Sequence, residues 1–373
     1  MVSYNAIRRY NFRYILFFKR LVILVKSLDA DGSPKEKRRK GTGKITLTEV
    51  AEFVGVSAMT VSRALRMPEK VNPELRDRID AAVSQLGYVP NLQARNLASV
   101  HSDLILAVVP TFSSPGFLPV SEALQKVLTE RGYTMMFMES GHDGQSEQKT
   151  FEKMLAYNPA AIIQFNIDTI ESCTQLLANV DVPILEIGAL NTHPVGMCIG
   201  VDYGKAVKQI VTHLADASLK NIALLCTPAN NTMFRQLLSG WNTAMLALNR
   251  SPHRVVTTHL PSTIATGVNI FKDMMITWGD LDALICTSDE MACGCMMACH
   301  SAGIKVPNTV AIASLGGGVL STVCSPALTT VEFPWHDIGV KAGKALLELL
   351  NDKPGEKFIE IPSVLKVRAS TAA

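Results

Sequence analysis

The side chains best suited to chemistry in this 373-residue chain lie in "VAEFVGVSAMTVSRAL", residues 50–65. Hydroxyl groups and a guanidinium follow closely on one another, at Ser57, Thr60, Ser62 and Arg63. Hydroxyl groups bind phosphate oxygens, and a guanidinium can donate two parallel hydrogen bonds to guanine O6 and N7. Gly55 would cost about 1 kcal/mol inside one long helix. We therefore predict two short helices that meet at Gly55, with these side chains on the second.

The eight cysteines do not have the spacing of a metal site. The run "CGCMMACH" spaces its thiols as C-x-C-x3-C, without the C-x2-C pair usual for zinc. Most of the cysteines lie within apolar runs, which is typical of buried free thiols in a reducing compartment. "LGGG" lacks the following G-K-[ST] of a phosphate loop. No metal, cofactor or catalytic set is expected. The cysteines are Cys173, Cys198, Cys226, Cys286, Cys293, Cys295, Cys299 and Cys324.

Charge is distributed unevenly along the chain. Residues 1–102 contain 18 Lys/Arg and 9 Asp/Glu, a net charge of +9, whereas the whole chain carries +3, so residues 103–373 carry −6. A basic head on an acidic body suggests that the head meets a polyanion. An unstructured basic tail is the alternative, because residues 1–40 alone supply +8.

The N-terminal run "RYILFFKRLVILVK" is apolar but is interrupted by Lys19 and Arg20. Neither half approaches the roughly 20 apolar residues of a membrane span. A polar, basic stretch follows it in place of a cleavage site for a signal peptide. We expect residues 1–44 to be a disordered, dispensable extension, of the kind that an upstream start-codon assignment adds.

Three helices are predicted after residue 44. Thr46 and Glu49 form a capping box before the first, and Ser57 caps the second, "AMTVSRALR". Asn72 and the proline after it open a third helix, which ends at Gly87. A short fourth helix is predicted after residue 90.

The remaining residues, from 103 on, alternate apolar runs with helical patterns. Runs such as "LILAVVP", "AAIIQFN", "KNIALLCTP" and "TVAIASLG" are typical of parallel strands buried on both faces. About 270 residues exceed one doubly wound sheet, which predicts two α/β lobes. Ligands bind beyond the C-terminal ends of such strands. The candidate segments there are "VPTFSS", "QFNID", "CTPANN", "CTSDE" and "SLGGG".

The stretch "ITLTEVAEFVGVSAMTVSRAL", with "LRDRIDAAVSQLGYVPNLQARNLAS" after it, resembles the head of the lactose/galactose-repressor (LacI/GalR) family. "SGWNTAM", "DALICTSDEMACGCMMACHSAGIKVPNTVAIASL", "PALTTV" and "VLKVRAST" resemble its core, so the resemblance covers residues 45–371. It implies a helix-turn-helix head, a hinge helix and a type I periplasmic-binding-protein-like core. It also implies a dimeric transcription regulator that binds a small effector.

The resemblance assigns base reading to Ala58, Met59 and Arg63, and base or phosphate contact to Arg66. Ala58 and Met59 can offer only apolar contact, for instance to a thymine methyl group. Leu97 matches the leucine that wedges the minor groove, and packing against the core is its alternative role. Phosphate contacts are expected from Thr46, Ser57, Thr60, Ser62 and Asn72.

Three residues are assigned to the effector by the same resemblance. Asp289 matches an acceptor of hydrogen bonds from effector hydroxyls, and Asp202 matches an acidic position near the lobe crossover. Helix capping is the alternative for both acids. Leu237 occupies the family's usual basic position. Arg235 lies two residues earlier, about 200° around a helix, so its side chain is expected to face away from the cleft. The acid-free "SLGGG" favours an anionic ligand.

Details such as "MTVSRALR", "MLAYNPAAII" and "CTSDE" resemble the gluconate and idonate regulators. They imply a cytoplasmic, nucleoid-associated homodimer on pseudo-palindromic operator DNA, which represses carbohydrate catabolism under control of a sugar acid such as gluconate. A neutral sugar or a nucleobase is the alternative effector. A solute-binding protein is the rival from another class, and it would lack the helix-turn-helix.

The expected domains follow from these patterns. Residues 1–44 form the extension, 45–89 the head, 90–102 the hinge and 103–373 the core. Within the core, one lobe covers about 103–203 and 335–356, and the other about 204–334 and 357–373. No heptad tail follows "VRAST", which favours a dimer over a tetramer.

Overall fold

The computed structural model describes residues 45–90, 102–112, 116–141, 144–165, 171–227, 231–353 and 355–372. The chain divides into two compact units, Met1–Arg95 and Asn96–Ala373. The predicted extension 1–44 lies outside the described residues, as does the predicted hinge helix with Leu97, over residues 91–101. No helix in the described ranges is long and apolar enough to cross a membrane.

The described part of the first unit, the head, consists of short helices around a small core. They are α1 (Leu47–Val54), α2 (Ala58–Arg66), a 3-10 turn (Pro68–Lys70) and α3 (Pro73–Leu86). Gly55 ends α1 with a φ of 80°, a left-handed conformation that favours glycine. The predicted caps of all three helices are confirmed: the capping box at Thr46 with Glu49, the side chain of Ser57 and that of Asn72.

The second unit, called the core here, consists of two lobes. Six strands form the sheet of lobe 1. They are β1 (Leu104–Val109), β2 (Thr134–Glu139), β3 (Ala161–Phe165), β4 (Ile184–Ala189), β5 (Met197–Val201) and β11 (Phe358–Glu360). Their order is β11-β5-β4-β3-β1-β2, with parallel pairing throughout. The helices of lobe 1 are α4 (Phe117–Thr129), α5 (Gly144–Ala156), α6 (Glu171–Ala178) and α12 (Trp335–Leu349).

Six further strands form the sheet of lobe 2. They are β6 (Ile222–Cys226), β7 (Val255–Thr257), β8 (Ala283–Cys286), β9 (Ala311–Gly316), β10 (Thr329–Glu332) and β12 (Val364–Lys366). The order is β12-β10-β9-β8-β6-β7, and the edge strand β12 is antiparallel to β10. The helices are α7 (Tyr203–Asp216), α8 (Thr232–Ala247), α9 (Ile264–Thr277), α10 (Asp289–Ser301) and α11 (Leu320–Val323).

These elements confirm the predicted fold class, a helical head followed in the chain by an α/β core of two largely parallel sheets. The central strands are continuous apolar runs because helices cover both of their faces; β3 and β6, for example, are buried along their whole lengths. The expected return to lobe 2 at residue 357 is wrong. β11 pairs with β5 of lobe 1, so the chain crosses after Glu360.

Helices α7 and α8 pack at unusually close range through two glycines. A Cβ atom at position 240 would collide with the backbone of Gly204, and one at position 204 would lie 3.1 Å from the carbonyl oxygen of Gln236. Because backbone stands against backbone, neither helix can yield by changing a rotamer. Glycine is therefore required at this crossing, which forms the floor of the groove described below.

We predict that Gly240→Ala lowers the free energy of unfolding of the full-length protein by about 1–3 kcal/mol, since the added methyl group must push α7 and α8 apart. Urea unfolding measures the change. Gly279→Ala is the matched control, because a Cβ there meets no atom within 4 Å, and it should shift stability by less than about 0.5 kcal/mol. Equal stabilities for the two variants would contradict the close packing.

Candidate functional site

The surface of α2 presents the side chains that were predicted to read bases. Arg63 and Arg66 are exposed, Ala58 is half-buried, and Met59 is 69% exposed although it is apolar. Val61, on the opposite side of α2, is fully buried. An exposed apolar side chain between a helix start and two arginines gives this surface both an apolar contact and guanidinium donors.

Three of the five predicted phosphate-binding side chains, Thr46, Ser57 and Asn72, cap the helix starts, whereas Thr60 and Ser62 lie within α2. Ser57 Oγ accepts a hydrogen bond from the Thr60 amide at 3.1 Å and lies 2.8 Å from Thr60 Oγ1. Thr46 Oγ1 accepts from the Glu49 amide, and Asn72 Oδ1 accepts from the Glu74 amide at 2.9 Å. Thr46, Ser57 and Asn72 are exposed, whereas Thr60 and Ser62 are half-buried. Capping therefore orients these groups at helix N-termini, which attract anions.

The head is locally rather than globally basic. Residues 45–90 contain five Lys/Arg and six Asp/Glu, so the +9 of residues 1–102 comes mainly from the extension. No acid lies in α2, whereas Arg63 and Arg66 lie in its last turn. The Arg66 Nε donates to the Ser62 carbonyl at 3.3 Å. A short helix that carries only positive charge is the part of this unit best suited to face a phosphate backbone.

A groove between α7 and α8 brings together two of the three predicted effector residues. Its volume is about 450 Å³, which falls in the range of small-molecule sites. Asp202 and Arg235 both line it, and Asp202 comes directly after β5, at a C-terminal strand end. The full lining is Asp202, Gly204, Lys205, Lys208, Arg235, Gln236, Ser239, Gly240 and Thr243.

The groove carries more positive charge than the sequence analysis predicted. Lys205 and Lys208 lie one turn apart on α7 and add two ammonium groups to the Arg235 guanidinium, which donates to Thr232 Oγ1 at 2.9 Å. Lys205 Nζ lies 2.7 Å from both carboxylate oxygens of Glu360, and this hydrogen bond raises the pKa of the lysine. The three-residue spacing of the lysines was the missed signal, since it places both on one helix face.

Asp202 caps a helix, which was its alternative role. Its Oδ1 accepts a hydrogen bond from the Lys205 amide at 2.9 Å, which makes it the N-cap of α7. The same carboxylate reaches the groove, so the cap does not remove it from a ligand. Leu237, at the family's usual basic position, is buried in the core.

Asp289 is not part of the groove, and its capping role is wrong. Ser288 caps α10, and Asp289 is the first helical residue. Its carboxylate is 5% exposed: Oδ1 accepts from Ser314 Oγ at 2.5 Å, and Oδ2 accepts from the Gly318 amide at 2.6 Å. Asp289 thus holds the "SLGGG" loop. The expected contact of Asp289 with an effector stays a prediction, as do the candidate segments at residues 113–115, 166–170 and 228–230, which lie outside the described residues.

The prediction of free thiols is wrong for two cysteines. Cys293 of α10 and Cys324, which ends α11, form a disulfide bond. The other six are free and buried, and burial raises the pKa of Cys173 to about 11 and that of Cys198 to about 12. Among the described residues, no group of three or more His, Cys, Asp or Glu side chains is arranged to hold a metal ion.

Family models match both units of the chain. The model for bacterial regulatory proteins of the lacI family matches residues 46–91, and the model for a periplasmic binding protein-like domain matches residues 211–371. The first match covers the head described above. The second covers most of lobe 2, with the groove helix α8 and the Asp289 loop.

Relatives extend the similarity over most of the chain. The transcriptional regulators GntR and IdnR of Escherichia coli K12 are 29% and 27% identical, over 84% and 83% of this chain and 95% and 93% of theirs. A LacI-family regulator from Silicibacter pomeroyi superposes with a TM-score of 0.82 at 25% identity, over 88% of this chain and all of that one. The operator-bound lac repressor dimer, at 23% identity, shares the fold with a TM-score of 0.78, over 88% of this chain and all of that one. With its helix-turn-helix head and two-lobed core, the chain belongs to the lacI family of bacterial regulatory proteins.

Proposed function

We propose that this LacI-family regulator is a sequence-specific repressor of carbohydrate catabolism, controlled by a sugar acid such as gluconate. The exposed surface of α2 carries the DNA-binding part of the proposal: Met59 and Arg63 lie between capped helix starts on a helix without acids. A protein with this function would act in the cytoplasm, bound to the DNA of the nucleoid. No step of this function needs a cofactor or a catalytic residue.

Arg63 is proposed as the main base-reading residue, with Arg66 beside it. Ala58 and Met59 lack donors and acceptors, so they add apolar contact to a thymine methyl group. The side chains of Thr46, Ser57, Thr60, Ser62 and Asn72 would set the register on phosphates. Leu97 is proposed as the minor-groove wedge of the hinge.

The groove between α7 and α8 supports the sugar-acid proposal. Three cations stand against Asp202 in its lining, and Glu360 neutralises one of them, so the balance favours an anionic ligand. A carboxylate would pair with Arg235 and Lys208, while Ser239, Thr243 and Asp202 suit sugar hydroxyls. Asp289, which lies outside this groove, is still proposed as an acceptor of hydrogen bonds from effector hydroxyls, as the resemblance implies. A neutral sugar or a nucleobase would form no ion pair with these cations.

Exposed apolar side chains in lobe 2 support the proposed homodimer. Met297 on α10 is 56% exposed, and Val319 and Val323, beside and within α11, are 78% and 67% exposed. Helices α10 and α11 pack together. A second copy of the chain would bury these side chains, and a twofold dimer matches a pseudo-palindromic operator. The lac repressor neighbour is such a dimer on its operator.

We predict that Arg63→Ala raises the Kd for the preferred operator by about 10- to 100-fold, because one bidentate base contact is worth about 1–3 kcal/mol. Selection from random DNA supplies the operator, and gel shifts with that duplex and a scrambled one measure both affinities. Arg76→Ala is the matched control, since Arg76 is exposed on α3 and ion-paired with Asp80. If Arg63→Ala keeps the preference for the selected duplex, the assignment is wrong.

We further predict that gluconate binds the purified protein and that Arg235→Gln weakens its binding by about tenfold or more, since a charge-assisted hydrogen bond is lost. Calorimetry with gluconate, idonate, galactonate and glucose measures affinity directly. Lys272→Gln, an exposed change on α9, should leave it unchanged. Binding of glucose with no response to any sugar acid would replace the proposal by the neutral-sugar alternative.

A further inference from the structure

We propose that Cys293 and Cys324 are a site of reversible oxidative modification, whose disulfide fixes the segment 316–324 on α10 and strengthens self-association of the protein. The part of the proposal that concerns self-association rests on the homodimer proposed above. The site itself stands on contacts within one chain.

The segment 316–324 is attached to α10 at two points. Near its start, the Gly318 amide donates to Asp289 Oδ2 at 2.6 Å, and Ser314, just before the segment, donates to Oδ1. At its end, Cys324 is bonded to Cys293, which lies one turn after Asp289 on the same helix. The carboxylate contact is permanent, whereas the sulfur contact depends on oxidation. Reduction would therefore release one end of the segment.

The released end carries the exposed apolar side chains. Val319 and Val323 lie between the two attachment points, and Met297 lies one turn after Cys293 on α10. The bond thus fixes Val323, the residue before Cys324, against the helix that bears Met297. A fixed apolar surface loses less conformational entropy on association than a mobile one, so the oxidised form should associate more tightly.

The chemistry is thiol–disulfide exchange with a small disulfide such as oxidised glutathione. Cys324 is half-buried and Cys293 is 5% exposed, so the Cys324 thiolate attacks first and displaces one glutathione thiol. Cys293 then attacks the mixed disulfide and displaces the second. One sulfur–sulfur bond breaks and one forms, two electrons pass from the cysteines to glutathione, and both thiol protons end on the two glutathione molecules.

Other thiols of the core are poor competitors for this reaction. Cys173, Cys198, Cys226, Cys286, Cys295 and Cys299 are all buried. Cys286 and Cys295 face each other, with 3.9 Å between their sulfur atoms, but both are fully buried, so neither is accessible to a disulfide reagent. Burial raises the pKa of Cys198, of Cys226 and of Cys299 to about 12, so few of these groups are thiolates at neutral pH. The Cys293–Cys324 pair should therefore be oxidised selectively.

The first test uses the full-length protein in buffers with varied ratios of reduced to oxidised glutathione. Alkylation of free thiols and peptide mass spectrometry should find a single Cys293–Cys324 bond that forms and breaks with the ratio. Cys324→Ser and Cys293→Ser should abolish it, and Cys173→Ser should retain it. The proposal is overturned if both thiols stay alkylatable at every ratio, or if the bond resists reduced glutathione in the folded protein.

The second test measures hydrogen exchange in peptides that cover residues 316–324. Oxidation should slow their exchange by about tenfold in the wild type and leave the Cys324→Ser variant unchanged. Sedimentation should give a several-fold lower dimer dissociation constant for the oxidised wild type. Equal exchange in both redox states would overturn the proposal. A monomer in both states would refute the proposed dimer and the strengthening of self-association, while bond formation and exchange would still decide the modification site.

Discussion

The carboxylate of Asp289 is the constraint on which the C-terminal end of the sheet in lobe 2 depends. A buried carboxylate is stable only with several donors, and Asp289 obtains them from the end of β9, through Ser314, and from the Gly318 amide. Thr330 Oγ1 on β10 lies 3.4 Å from its Oδ1. The carboxylate therefore joins α10, two strands and a loop at one point. The contact with Asp289 favours glycine at position 318, where a Cβ would lie 3.2 Å from Oδ2, whereas a Cβ at position 317 would collide with Glu332. The glycines of "SLGGG" are present because the backbone wraps closely around an acid.

The head was predictable in detail because its signals are local. Each helix start is set by a side chain that bonds to an amide two or three residues away, as Thr46, Ser57 and Asn72 do. The long buried strands were predictable from their apolar runs. The short strands β7, β11 and β12 were not, since the hydrophobic pattern of three residues does not distinguish a strand from a loop. The assignment of β11 to lobe 1 depends on its pairing with Cys198–Gly200, which lies about 160 positions earlier in the chain.

The positions of candidate-site residues were predictable only in part, even where the regular spacing of a helix sets the direction of their side chains. The displacement of Arg235 by two positions from the family's basic residue predicted that its side chain faces away from a ligand, yet Arg235 lines the groove, whereas Leu237 is buried. The role of Asp289 was not predictable, because a carboxylate at a strand end has the same sequence signature whether it meets a ligand or a loop. Likewise, the spacing of 31 residues between Cys293 and Cys324 carries no information about contact. The acid-free loop, which suggested an anionic ligand, has a structural explanation in Asp289, so the cations of the groove now provide the better argument.

Two residues of the groove, Lys205 and Gln236, make polar contacts between the two lobes. Gln236 of α8 donates to the Leu190 carbonyl beyond β4 at 2.7 Å and accepts from the Tyr203 amide where the chain first crosses. Lys205 of α7 binds Glu360 at the end of β11, where the chain crosses for the last time.

An anion in the groove would compete with Glu360 for Lys205 while it contacts Gln236. The exposed ion pair is worth about 0–1 kcal/mol, and a buried hydrogen bond about 0.5–1.5 kcal/mol. Together these contacts approach the roughly 1–3 kcal/mol of a typical allosteric coupling. If the proposed effector binds in this groove, it would therefore weaken contacts between the lobes that are individually small.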